Sequence, residues 1–146
     1  MIYPTSDAYR AASHKRVMLF GMSGLGKTYL SQLLRDAPRE KGGGWFHYSV
    51  DYRIGTHYMG EHIADMFKRE AMKLPLLREL LMTDSVFIAS NITFANLAPL
   101  SVYLGKPGDP AKGGLPFAEY MKRQDQHREA EIAATLDTAR FIERAE

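Results

Sequence analysis

Hydrophobic positions in this chain change period three times before residue 60. Residues 17–20, Val17-Met18-Leu19-Phe20, are wholly apolar, the pattern of a parallel strand covered on both faces. Leu30, Leu33 and Leu34 then recur at i, i+3 and i+4. That spacing predicts a helix over residues 26–36, which Pro38 stops. Residues 39–44 end in three glycines and read as a flexible connection. Residues 45–50, Trp45-Phe46-His47-Tyr48-Ser49-Val50, are rich in aromatic and β-branched types and predict a second strand. Strand, loop, helix and strand together fill the roughly 30 residues of a βαβ unit. A right-handed crossover then sets both strand ends on one edge of a sheet, where open α/β folds bind ligands.

After Asp51 the pattern turns helical. Ile63, Met66, Phe67 and Leu74 form one apolar stripe, with Glu61, Asp65, Lys68 and Arg69 mostly on the other face. Pro75 breaks or restarts the helix, and Leu76, Leu77, Leu80 and Leu81 continue an apolar face. Residues 85–92 are a third strand candidate, residues 94–104 a helix interrupted near Pro99, and residues 105–114 a long turn-forming loop. From Phe117 the chain reads as helical to about Leu136, with Asp137 or Thr138 capping a last short helix. Residues 1–14 form a polar, loosely structured lead-in.

Composition narrows the class. The 146 residues suffice for one domain with a core, and 45% hydrophobic with 25% charged residues is ordinary for a globular protein. A net charge of +2 gives no case for nucleic-acid or membrane binding. With no cysteine, disulfides, thiolate metal sites and a cysteine nucleophile are excluded. No apolar run is long enough for a signal peptide core or a membrane span, so the expected location is the cytoplasm.

The chemistry concentrates in Gly21-Met22-Ser23-Gly24-Leu25-Gly26-Lys27-Thr28, which matches G-x-x-x-x-G-K-[ST], the phosphate-binding P-loop. A backbone wrapping a chain of phosphates needs residues without bulk at its turns, here Gly21, Gly24 and Gly26. The amides of residues 21–29, through Tyr29, would form an anion nest at a helix start. Lys27 would neutralise the terminal phosphates of ATP, and Thr28 would offer its hydroxyl to Mg2+. Asp51, at the expected end of the second strand, would hold the metal or act as catalytic base; the alternative is a surface aspartate in a turn. Arg53 would clamp a carboxylate or phosphate of a second substrate, or else be solvated or paired with a nearby acid. Ser90, Asn91 and Thr93 would orient a phosphate or cap a turn. His57 and His62, five residues apart, do not share a helical face for a metal. The run 122–131 reads as a solvated helix face, from which an arginine could also reach a phosphoryl group.

On the loop at 21–28 and the segment Ser49-Val50-Asp51-Tyr52-Arg53-Ile54-Gly55, the chain resembles P-loop kinases of small molecules, the group around shikimate, gluconate and nucleoside monophosphate kinases. The second element departs from the shikimate-kinase pattern of two aspartates one residue apart, since Ser49 holds the first position. Residues 90–94, 96–106 and 113–132 are similar to a family of bacterial proteins called simply ATPases. The resemblance implies an α/β fold of the P-loop NTPase type, three α/β/α layers around a parallel sheet. It also implies Mg-ATP as cofactor and a small-molecule acceptor. With two strands and one candidate, residues 1–146 are expected to be one P-loop domain, the N-terminal part of a longer one. Two functions follow: an ATPase or kinase-like phosphotransferase, or a non-catalytic nucleotide-sensing module acting through a partner.

Overall fold

A computed structural model of the chain describes residues 3–22 and 24–146. Among these, the regular elements are α1 (Ser6–Ala11), α2 (Lys27–Asp36), α3 (Val50–Arg53), α4 (Gly60–Ala71), α5 (Pro75–Met82), α6 (Ala98–Leu104) and α7 (Phe117–Ala145). Short 3₁₀ turns at Arg39–Lys41 and Pro110–Lys112 and a π turn at Ile54–Tyr58 complete the set.

The described residues contain no β-strand and no sheet, which corrects the expected three-layer α/β/α architecture. Residues 17–20, 45–49 and 85–92 are non-helical but join no ladder, and the bridges present are isolated, Thr93 with Asn96 and Pro107 with Leu115. Apolar and β-branched composition expresses a fit to a pleated, half-buried surface and cannot supply that surface. A buried parallel strand needs neighbours about 4.8 Å away and helices over both faces. Phe20 and Phe87 are each 91% exposed, so neither segment has the covering its composition suits. In place of a ladder, the Trp45 N–H donates to the Leu34 carbonyl of α2 at 3.4 Å.

The chain gathers into two compact units, Met1–Tyr48 with Arg140–Glu146, and Ser49–Ala139. In the first, Thr5 caps α1 by accepting from the Ala8 N–H at 3.1 Å. The sequence left this stretch as a loose lead-in, yet the cap and a favourable first-turn Asp7 suffice for a short helix. α2 follows the expected span within one residue and ends where the Ala37 N–H bonds the Leu33 carbonyl at 3.0 Å, just before Pro38. Phe141 stacks against Phe46 at 6.2 Å between ring centroids and lies 4.6 Å from the Tyr48 ring. Arg16 pairs with Glu146. Neither α1 nor α2 buries a residue.

The second unit holds a core. Ile54, Met59, Leu100, Tyr103, Ala130 and Ala134 form one buried cluster, flanked by Val50, Tyr58, Ile63, Met66 and Leu104. The π turn closes with the Met59 N–H on the Ile54 carbonyl at 2.9 Å, a five-residue step that turns both side chains inward. Gly55 permits this, since a Cβ there would meet two Ile92 carbons at 3.1 Å. Pro75 opens α5 at its first position, where a missing N–H costs nothing, and Pro99 sits likewise in the first turn of α6. Small residues on α7, Ala130 and Ala134, let that helix approach the cluster closely. The expected cap at Asp137 is corrected: Asp137 lies inside α7, which runs unbroken for 29 residues.

No helix of the described residues is long and apolar enough to cross a membrane.

Candidate functional site

The loop before α2 is built by backbone conformation. Gly24 (φ 84°) and Gly26 (φ 77°) are left-handed, a region that costs about 1 kcal/mol or more for a residue with a Cβ. An ideal Cβ at either position would meet nothing within 4 Å, so conformation and not crowding selects glycine there. Gly21 stands at φ 156°, which residues with a Cβ rarely adopt, and a Cβ there would also come 3.0 Å from the flexible end of Leu25, Cδ1. Ser23 lies outside the described residues.

Lys27 folds back over the loop it terminates. Its ammonium donates to the Gly21 carbonyl at 2.7 Å and the Met22 carbonyl at 2.6 Å. Two of its three protons are thereby used, and the third remains for an anion's oxygen. Gly26, the N-cap of α2, makes no side-chain cap bond. The first amides of a helix have no intrahelical acceptor, so those at Lys27, Thr28 and Tyr29 are donors at its positive end. Thr28 and Tyr29 are exposed, and the Thr28 carbonyl accepts from Ser31 Oγ at 2.9 Å. Met22, Leu25 and Tyr29 surround the loop with exposed apolar surface.

These residues fit a phosphate chain. The donor set consists of uncapped amides, an ammonium with a remaining proton and a free-standing hydroxyl, and glycines leave the approach without side-chain bulk. Were Mg2+ to bind with such a chain, the Thr28 hydroxyl would be the side-chain ligand this loop offers, with the remaining ligands coming from phosphate and water.

Asp51 and Arg53 fall in the other unit, and neither stands at a strand end, because residues 45–49 form no strand. Asp51 is exposed in the first turn of α3, which Ser49 caps by accepting from the Tyr52 N–H at 3.2 Å. A carboxylate there favours the helix's positive end. Arg53 is not a solvated clamp. Its Nε and Nη2 each reach Asp137 Oδ2 at 2.8 Å, and the Tyr58 hydroxyl donates to the same oxygen at 2.7 Å. That hydrogen bond holds the Tyr58 phenol above its ordinary pKa. The trio ties the turn after α3 to α7. Asn91 and Thr93 close a turn instead of facing a phosphate: Asn96 donates its N–H to Thr93 Oγ1 at 3.0 Å and its Nδ2 to the Asn91 carbonyl at 3.0 Å.

Within the expected solvated run, Ala130 and one charged residue, Arg123, are buried. Arg123 donates Nη1 to the Tyr103 carbonyl at 2.6 Å and Nε to Glu119 Oε1 at 2.7 Å, and its guanidinium lies 4.7 Å from the Tyr103 ring. Hydrogen bonding to Arg123 lowers the Glu119 pKa, while burial raises that of Tyr103. The signal was readable: Arg123, Ala130 and Ala134 recur at i, i+7 and i+11, one face of a helix.

Comparison with protein-family models, with curated proteins and with solved structures finds no match to this chain.

Proposed function

We propose that residues 21–28 grip the phosphates of a nucleoside triphosphate, with Mg2+ on Thr28, and that the chain is a nucleotide-binding protein of P-loop type chemistry. The observation that carries this reading is the pose of Lys27, closed over a loop whose two left-handed glycines lead directly into an uncapped helix start. In this pose Lys27 keeps a positive charge beside the amide-rich helix start, where an anion would bind. ATP is the natural first ligand to try, because the motif selects phosphates and not a base.

Calorimetry of Mg-ATP on wild type, Lys27→Ala and Thr28→Ala tests it. Removing one charge-assisted donor should weaken binding by about 10- to 100-fold for Lys27. The Thr28 variant should lose the magnesium dependence of binding while keeping affinity for metal-free nucleotide. Equal affinity in wild type and Lys27→Ala would sink the proposal.

Turnover is a separate matter, and a binding module without hydrolysis is the second reading. It is favoured by the place of Asp51, on a helix turn where it serves the helix end. Phosphate release measured in wild type and Asp51→Asn divides the two. Hydrolysis that Asp51→Asn lowers by orders of magnitude supports the ATPase or phosphotransferase, and tight binding without release supports the module.

A further inference from the structure

Within the helical unit, an open groove of about 540 Å³ runs between α4 and α7. His62, Asp65, Lys68, Arg69 and Met72 line one side, and Lys122 and Gln126 the other. The spacing explains the convergence: residues 62, 65 and 69 lie at i, i+3 and i+7 on one helix, and residues 122 and 126 at i and i+4 on the next. Lys68 Nζ donates to Asp65 Oδ1 at 3.2 Å, and Arg69 Nε donates to the Asp65 carbonyl at 3.3 Å, which restrains both bases beside the groove. The Tyr103 hydroxyl donates to Gln126 Oε1 at 2.8 Å, so the oxygen is engaged and the amide nitrogen remains as a donor. Met72 supplies an apolar wall.

We propose that this groove binds a small phosphate monoester, at a site separate from the loop at 21–28. Charge sets the class. Among the lining residues Lys68, Arg69 and Lys122 stand against one carboxylate, Asp65, a formal excess of two positive charges. A phosphate monoester carries about −1.5 to −2 near pH 7 and balances them. Arg69 can offer its guanidinium fork to two phosphate oxygens, which a carboxylate of lower charge would match less fully. The volume falls within the roughly 300–1,000 Å³ usual for small-molecule sites, and Met72 suits a small organic body beside the phosphate.

Amide NMR titration of the full chain with phenyl phosphate tests the site. Shifts should concentrate at Arg69, Lys122 and Gln126. Charge reversal in Lys122→Glu and neutralisation in Arg69→Gln should each weaken binding about tenfold, whereas Lys122→Arg should retain it. Lys27→Ala should leave these shifts intact, which separates the groove from the nucleotide loop. Absence of shifts in the groove, equal affinity in Lys122→Glu and Arg69→Gln, or loss of the signal in Lys27→Ala would each overturn the assignment. Stronger binding of succinate than of phenyl phosphate would refute the phosphate class.

Discussion

The loop-bearing unit and the helical unit are held together by different physics. Every buried residue among those described lies between Ile54 and Ala134, inside the helical unit. The loop-bearing unit has none; its form rests on a Thr5 cap, left-handed glycines, backbone bonds and stacked aromatics. Regions without buried apolar contacts open locally at small free energy, while a core opens only with the whole domain. A ligand that binds the ordered form of such a region stabilises it by mass action. The unit that carries the glycine loop is therefore the one whose order a bound ligand would raise most.

The contrast is tested most severely in the core. Met59 is fully buried, so Met59→Ala should cost about 2–5 kcal/mol in urea denaturation. Leu33 on α2 is 49% exposed, and Leu33→Ala should cost less than about 1 kcal/mol. Equal losses would erase the distinction between the units.

Next in size is the trio around Asp137. Its side chain is 13% exposed and that of Arg53 24%, so Asp137→Asn should cost about 2 kcal/mol, less than for a fully buried pair. Tyr58 reports on it independently. The bond to Asp137 raises the phenol above its ordinary 10.0, so its contribution is complete below pH 10 and is lost as pH rises through the raised folded value. Ultraviolet titration should therefore find Tyr58 and the buried Tyr103 ionising late in wild type, and one of these late steps moving earlier in Asp137→Asn. An unchanged titration would remove Asp137 as the cause.

These elements also mark how far the sequence could be read. Local signals survived: α2 was legible from three leucines and Pro38, and the start of α5 from Pro75, because propensity and capping act within one turn, whereas Pro99, read as an interruption of a helix over 94–104, stands in the first turn of α6. The three strand segments were misread because extended composition says nothing about whether a partner lies alongside. Residues 45–50 could be seen to favour extension, but their failure to pair is a tertiary fact. Of the site, the glycines, Lys27 and Thr28 were visible as a motif fixed by local backbone needs. For Arg53 an ion pair with an acid was one of the readings, but the partner Asp137 was not legible, since it stands 84 residues away and no spacing rule links them. Arg123 was hidden by the charge of its neighbours, although the alanines on its face were there to be counted.

A smaller effect belongs to Glu119. Its bond to Arg123 lowers its pKa, so the contribution is present above the ordinary 4.5 and is lost as pH falls through the depressed folded value. Because the Glu119 side chain is 36% exposed, solvent screening holds the value to roughly 0.5–1 kcal/mol. Stability of Glu119→Gln should fall below wild type by that amount near neutrality, and the two curves should converge in acid. A constant gap at all pH values would mean that packing of Arg123, and not the charge pair, carries the effect.

The change expected to leave the helical unit untouched is also the sharpest probe of the loop-bearing unit. Gly24→Ala adds a methyl that meets nothing within 4 Å, so its cost is the left-handed backbone alone, about 1 kcal/mol. With no core behind the loop, that penalty should stay local. The urea midpoint of the helical unit should not move, while hydrogen exchange of the amides of α2's first turn should quicken about fivefold. Mg-ATP affinity should drop by the same factor, because ligand binding must then restore the strained conformation at its own expense. If the midpoint falls with the affinity, the two units unfold as one, and the loop's order is set by the core after all.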